Sequence, residues 1–315
     1  ALGATDDGEK NTAVGYQALN ANCGANNTGI GFEALESCTG DFNVAVGSAS
    51  GDAITSGVQN TAVGHGSLSG TDTGHYNVAI GTSALQADCV DNNVAVGVAA
   101  LYNFTGSSAT AVGYQALDAC TTGAENVAVG SGALGAVIDG HYNTAVGTSA
   151  LAADCGSSNI AIGREALNVF TGDNATVIGV AAADAATTAG GLVAIGKSAL
   201  SSVVDGDNNV AVGLSAGGQV TSSDDHTAIG NNALASCTTG AQNTAVGSSA
   251  AFSLTGSSNV AVGMNAAYYG TTTDDCVAIG RNAFLGSSGN TTGNYNVAIG
   301  SYSLDAATTA NANVA

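Results

Sequence analysis

The chain has 315 residues with no proline or tryptophan, 46 glycines and a formal charge of −20, against which stand only four fixed cations, Lys10, Arg164, Lys197 and Arg281. So few cations cannot neutralise a phosphate backbone or grip an anionic membrane surface, which argues against nucleic acid and acidic lipid as partners. No apolar run reaches the ~18 residues that a spanning helix needs, so no membrane insertion by this segment is expected.

Read from its start, the chain writes one short motif repeatedly. Asn11-Thr12-Ala13-Val14-Gly15 returns as Asn43-Val44-Ala45-Val46-Gly47, Asn77-Val78-Ala79-Ile80-Gly81 and Asn243-Thr244-Ala245-Val246-Gly247. A glycine closes each of 18 copies: Gly15, Gly31, Gly47, Gly64, Gly81, Gly97, Gly113, Gly130, Gly147, Gly163, Gly179, Gly196, Gly213, Gly230, Gly247, Gly263, Gly280 and Gly300. The spacing is 16 or 17 residues, and 20 at the last step. A fixed period this short marks a repeat architecture, and abundant glycine without proline favours short strands joined by tight corners. The length alone would suggest about two domains. The repeat overrides that and predicts one all-β array over residues 1–315, a parallel β-solenoid of about 18 coils. Ala1-Leu2 matches the Ala-Leu that follows the repeat glycine elsewhere, and Asn313-Val314-Ala315 begins a further core. The array is therefore expected to be cut from a longer chain at both ends.

With the glycine as position 0, position −1 is Val or Ile in all 18 copies and position −3 is Val, Ile or Thr in all 18. Position −2 is alanine in 16: Ala13, Ala45, Ala62, Ala79, Ala95, Ala111, Ala128, Ala145, Ala161, Ala194, Ala211, Ala228, Ala245, Ala261, Ala278 and Ala298, with Gly29 and Val177 the exceptions. Alternate strand residues face opposite ways. The branched side chains at −3 and −1 are expected to pack inside the coil. The alanines then form an outer strip that another chain could approach closely, a candidate inter-chain seam. Leucine at +4 in 12 copies, from Leu19 to Leu304, is expected to fill the interior from a second short strand. Gly51, Gly217, Ala183, Ala251 and Ala267 break that pattern and predict a thinner core. Asparagine at −4 in 13 copies suits an amide ladder at the ~4.8 Å coil spacing. The intervening Ser, Thr, Gly, Asn and Asp runs read as turns, the longest from Leu285 to Asn294.

The core N-[TV]-A-[VI]-G resembles the head repeat of trimeric autotransporter adhesins. The nine residues from Asn11 to Leu19, echoed by Tyr114-Gln115-Ala116-Leu117, are similar to repeats of phage tail-fibre and other virion structural proteins. The resemblance covers essentially the whole chain. It implies a left-handed parallel β-roll that assembles side by side as a homotrimer, the shaft or head of a fibre at a virion or extracellular surface. A host-surface receptor or glycan is the further partner it suggests. The Tyr-Gln-Ala-Leu signature favours the phage type, with a bacterial adhesin head as the alternative. Adhesin-head repeats are usually shorter, so larger outer loops are expected here.

Motifs with chemical meaning are sparse. Residues 191–198 spell G-x-x-x-x-G-K-S, but their middle is the repeat strand, and a phosphate loop needs its strand before and a helix after. Residues 130–135 match G-x-G-x-x-G without room for the βαβ unit that gives it meaning. Acids recur at −6 (Glu9, Asp41, Asp91, Asp173, Asp207, Asp224, Asp274), where aspartate favours turns and stacked copies would form an acidic edge; Asp224-Asp225 with Asp274-Asp275 are the candidate oxygen ligands for calcium. His75 and His141 share −6 but stand four coils apart, too far to share a metal within one chain, although three copies around an axis could. His65 and His226 fall in other phases, and no histidine recurs beside a serine or cysteine as a catalytic pair would.

Seven cysteines form no C-x-x-C pattern. Cys23 and Cys38 are nearly one coil apart, conceivable as a bridge. The phase pairs Cys89 with Cys155 and Cys120 with Cys237 read better as small buried apolar residues. Phe42, Tyr76, Tyr142 and Tyr295 share −5, as a glycan-facing row or, the preferred reading, as packing over the coil edge or a neighbouring chain. The sequence thus reads as a non-enzymatic structural fibre segment with no catalytic residue, cofactor or metal. A monomeric ligand- or ice-binding solenoid ranks lower, since only eight copies carry Thr at −3, on the face taken as inward. A polysaccharide-cleaving solenoid would need a carboxylate cluster in one groove, and only scattered turn acids are visible.

Overall fold

The structure is a computed structural model that describes residues 8–270, 272–286, 292–306, 309 and 311–315. Each repeat contributes one three-residue strand, 18 among the described residues. The chain divides into two compact units, Ala1–Ser158 and Asn159–Ala315. The first holds β1 (Thr12–Val14) to β9 (Thr144–Val146), the second β10 (Ile160–Ile162) to β18 (Val297–Ile299). Within each unit every strand pairs in parallel with the next. The register sets motif on motif, with Val44 opposite Thr61, Ala45 opposite Ala62 and Val46 opposite Val63. This is the β-solenoid that the period predicts. Val314 forms a parallel bridge to Val297, so Asn313–Ala315 takes the register of a further repeat. Ala1, Leu2 and residues 287–291 of the longest turn lie outside the described residues.

The two strand faces are the reverse of the sequence expectation. Ala13 is half-buried, and the other 15 alanines of the expected outer strip, Ala45 through Ala298, are at most 1% exposed within a single chain. They line the coil interior and cannot form an inter-chain seam. The branched residues face out: Val46, Ile80, Val129 and Ile195 are 36–40% exposed. The reason is space. A Cβ added at Gly29 would stand 3.0 Å from the Ala34 carbonyl oxygen and 3.1 Å from Leu19 Cγ, so the interior at −2 has room for about a methyl group. Val177, the one larger residue there, is buried as well.

Eleven of the twelve leucines at +4, Leu19 to Leu234, are buried as expected and Leu304 is half-buried, but among the described residues no second strand carries them. Leu19 and Leu35 have φ of 50° and 53°, and two residues earlier Gln17 and Glu33 have 53° and 57°. Left-handed and right-handed residues alternate here, which turns successive peptide planes over. Thus Glu33 N–H donates back to the Tyr16 carbonyl (2.9 Å), while Leu35 N–H donates forward to the Ser50 carbonyl (3.0 Å). Each left-handed L-residue costs about 1–2 kcal/mol. Burial of a leucine, about 1.5–3 kcal/mol, offsets that cost.

The corner glycine is required twice over. Gly47 has φ of 140°, and a Cβ there would fall 2.5 Å from the Gly64 carbonyl oxygen of the next coil. The thinner core expected at Gly51 and Gly217 is absent. Ile54 and Leu35 close on the first, and Leu200 and Val220 on the second. The same compensation explains two gaps among the asparagines, because buried Phe104 and Phe170 precede Ala109 and Ala175 where position −4 would otherwise be Asn.

Candidate functional site

Position −4 builds a buried polar column. Asn27, Asn43, Asn60, Asn77 and Asn93 are all 0–1% exposed. Each side chain spends its amide on the next coil. Asn60 Oδ1 accepts from the Asn77 N–H at 2.9 Å, and Asn60 Nδ2 donates to the Gly74 carbonyl at 2.8 Å. Asn43 does the same to Asn60 N–H (3.0 Å) and Gly57 (2.8 Å). The expected ladder therefore runs mainly from side chain to backbone. Amide-to-amide bonds occur as supplements, as between Asn60 and Asn43 at 3.2 Å.

Five of the seven acids at −6 share one structural role. Asp41, Asp91, Asp207, Asp224 and Asp274 each accept a backbone N–H from the preceding coil, at 2.6–2.8 Å. His75 and His141 fill the same role through Nδ1, accepting from Val58 and Ala124 at 3.1 and 2.9 Å. Ser157 and Ser257 do so through their hydroxyls. The row is unified by acceptor capacity rather than by charge. Among the described residues no group of three or more His, Cys, Asp or Glu side chains is placed to hold a metal.

One histidine–cysteine pair does come together, which the sequence reading missed because 11 residues separate the two. His226 Nε2 lies 3.8 Å from Cys237 Sγ, both groups buried. Burial pulls the histidine down from its ordinary 6.5, overriding the nearby Asp224 and Asp225 that push it up. Burial pushes the thiol up to about 11. The pair is therefore neutral, the opposite of an activated thiolate. His226 instead replaces asparagine in the column. Its N–H donates to Asn209 Oδ1 (3.0 Å), Nδ1 accepts from Asn243 N–H (3.2 Å), and the ring also bonds the Gly240 carbonyl. That position −4 is occupied by His226 was the signal available in the sequence.

The seven cysteines are buried as thiols rather than disulfides, Cys23 and Cys38 included. Burial holds the thiols of Cys38, Cys89 and Cys120 near 11 as well. Lys197 follows the corner Gly196 with no helix after it, so the phosphate-loop pattern has no loop to serve. Phe42, Tyr76, Tyr142 and Tyr295 are more than half exposed, each at φ near 60°, and Tyr76 and Tyr142 tilt against His75 and His141 with ring centres 6.1 Å apart. Tyr16 and Phe32 stack in adjacent coils with ring centres 5.5 Å apart.

What remains as a site is the outward strand face. Positions −3 and −1 give two columns of Val, Ile and Thr in each unit, without one charged side chain. Contiguous exposed apolar surface of this kind marks an interaction face.

No protein-family model, curated protein or solved structure matches the chain.

Proposed function

We propose that the chain is a structural segment that associates side by side with further copies of itself through the outward Val/Ile columns, as the shaft or head of a virion or extracellular fibre. The observation that carries this reading is the outward stripe of branched residues, exposed or half-exposed at every coil while the alanines occupy the interior. A surface of charge −20 keeps the rest of the molecule from sticking. The uncharged stripe is the face that gains from being covered. Three copies is the number implied by the resemblance of N-[TV]-A-[VI]-G to trimeric repeats, and the same resemblance supplies the phage-fibre and adhesin-head alternatives. Light scattering, with and without reductant, tests the reading. Association gives about three times the 30.0 kDa chain mass in both conditions; a monomer in both sinks it.

A second reading gains support from the outward face. The eight threonines at −3, including Thr61, Thr110 and Thr144, stand on the outer side of a regular sheet beside valines. Such an array suits ordered water, and a monomeric chain that slows ice recrystallisation would favour it over the fibre.

A further inference from the structure

Position +5 lies on the coil edge that follows the leucine, away from the strand face. In three successive coils it is Ser201, Gly218 and Ala235, and in the fourth it is Phe252. The small side chains leave a hollow of about 330 Å³, lined also by Ser215, Gln219, Asn232 and Ser236. Phe252 closes one end. Its ring stacks on Tyr268 of the following coil at 5.0 Å and 6°, and Tyr269 meets Tyr268 edge-on at 4.6 Å. The stack braces one face of Phe252 and leaves the other toward the hollow.

The geometry points to a binding subsite for a neutral hexopyranose residue. The volume is at the small end of ligand pockets. The walls offer three serine hydroxyls and two carboxamides, groups that both donate and accept, and no charged side chain. A sugar ring has a matching circumference of hydroxyls and a C–H face that packs on an aromatic ring. A charged ligand would find no counter-ion among the lining residues, and a purely apolar one would desolvate Ser215, Gln219 and Ser236, while Ser201 Oγ already donates to Gly218 O (3.4 Å) and Asn232 Nδ2 to Asn231 Oδ1 (3.1 Å). No lining residue belongs to a strand, so the subsite stays open when the aliphatic columns are covered, and it does not depend on the fibre reading.

The test is saturation-transfer NMR on the full chain with the methyl glycosides of glucose, galactose and mannose at millimolar concentration. Two variants accompany it. Ala235→Gln fills the hollow from its rim, and Phe252→Leu keeps apolar bulk but removes the ring. At least one glycoside is expected to receive saturation from the wild type, and its affinity to fall at least tenfold in each variant while the circular dichroism stays unchanged. If no glycoside binds, or if binding survives in either variant, the assignment is overturned. Ala235 lies outside the buried core, so its variant keeps the test valid should Phe252→Leu unfold.

Discussion

The Asn77 N–H donates to Asn60 Oδ1 at 2.9 Å, and both residues are sealed from solvent. Asn60 also donates to Gly74 O, so one side chain closes two backbone groups of the next coil. Replacing it by leucine leaves both groups buried and unpaired. The expected loss is about 2–6 kcal/mol, from the ~1–3 kcal/mol cost of each of the two orphaned groups. Asn60→Asp keeps the acceptor but sets a carboxylate against the Gly74 carbonyl, and should be no better than leucine. Chemical denaturation of the three proteins measures this.

His226 makes the column sensitive to acid. Its Nδ1 accepts from Asn243 N–H, so a proton there would face another N–H. The folded pKa lies below the ordinary 6.5, and the unfolded chain therefore takes up the proton first as pH falls. The stability His226 contributes is complete above about pH 6.5 and declines below it, until the folded pKa is passed. Thermal melts between pH 7.5 and 5 should fall more steeply for the wild type than for His226→Asn, which restores the usual residue. Parallel curves would contradict this.

The thiols should be silent in the native state. Buried side chains with pKa near 11 present almost no thiolate at pH 8. Titration with an aromatic disulfide reagent should register seven thiols in strong denaturant without reductant and far fewer in buffer. Five in denaturant would reveal a bridge between two cysteines.

The repeat, its period, the corner glycines and the strand positions were all legible in the sequence, because a glycine at φ near 140° stacked on the next coil tolerates no substitute. The strand facing was not. Both faces are apolar, and the ordinary preference for burying area favours the larger residues inward. What decides is the room left by the interior leucines: Leu19 approaches the position of a Cβ at Gly29 too closely for anything beyond a methyl group. The −6 row was legible as a row but not in its role. Asp41, His75 and Ser157 share an acceptor atom, which a search for charge or metal ligands does not register. The hollow before Phe252 depends on which side chains are missing at +5, and no motif announces it.

The stripe gives the most direct test. Val112 and Val129 are each 37% exposed, while Ala111 and Ala128 beside them are buried. The measurement is the solution mass, by light scattering, of the double variant Val112→Lys/Val129→Lys beside the wild type. The account predicts a wild type near three chain masses, and a variant that keeps its β-sheet circular dichroism but shifts toward the 30.0 kDa of one chain. A wild type that is already monomeric, or a variant that assembles as the wild type does, would contradict it.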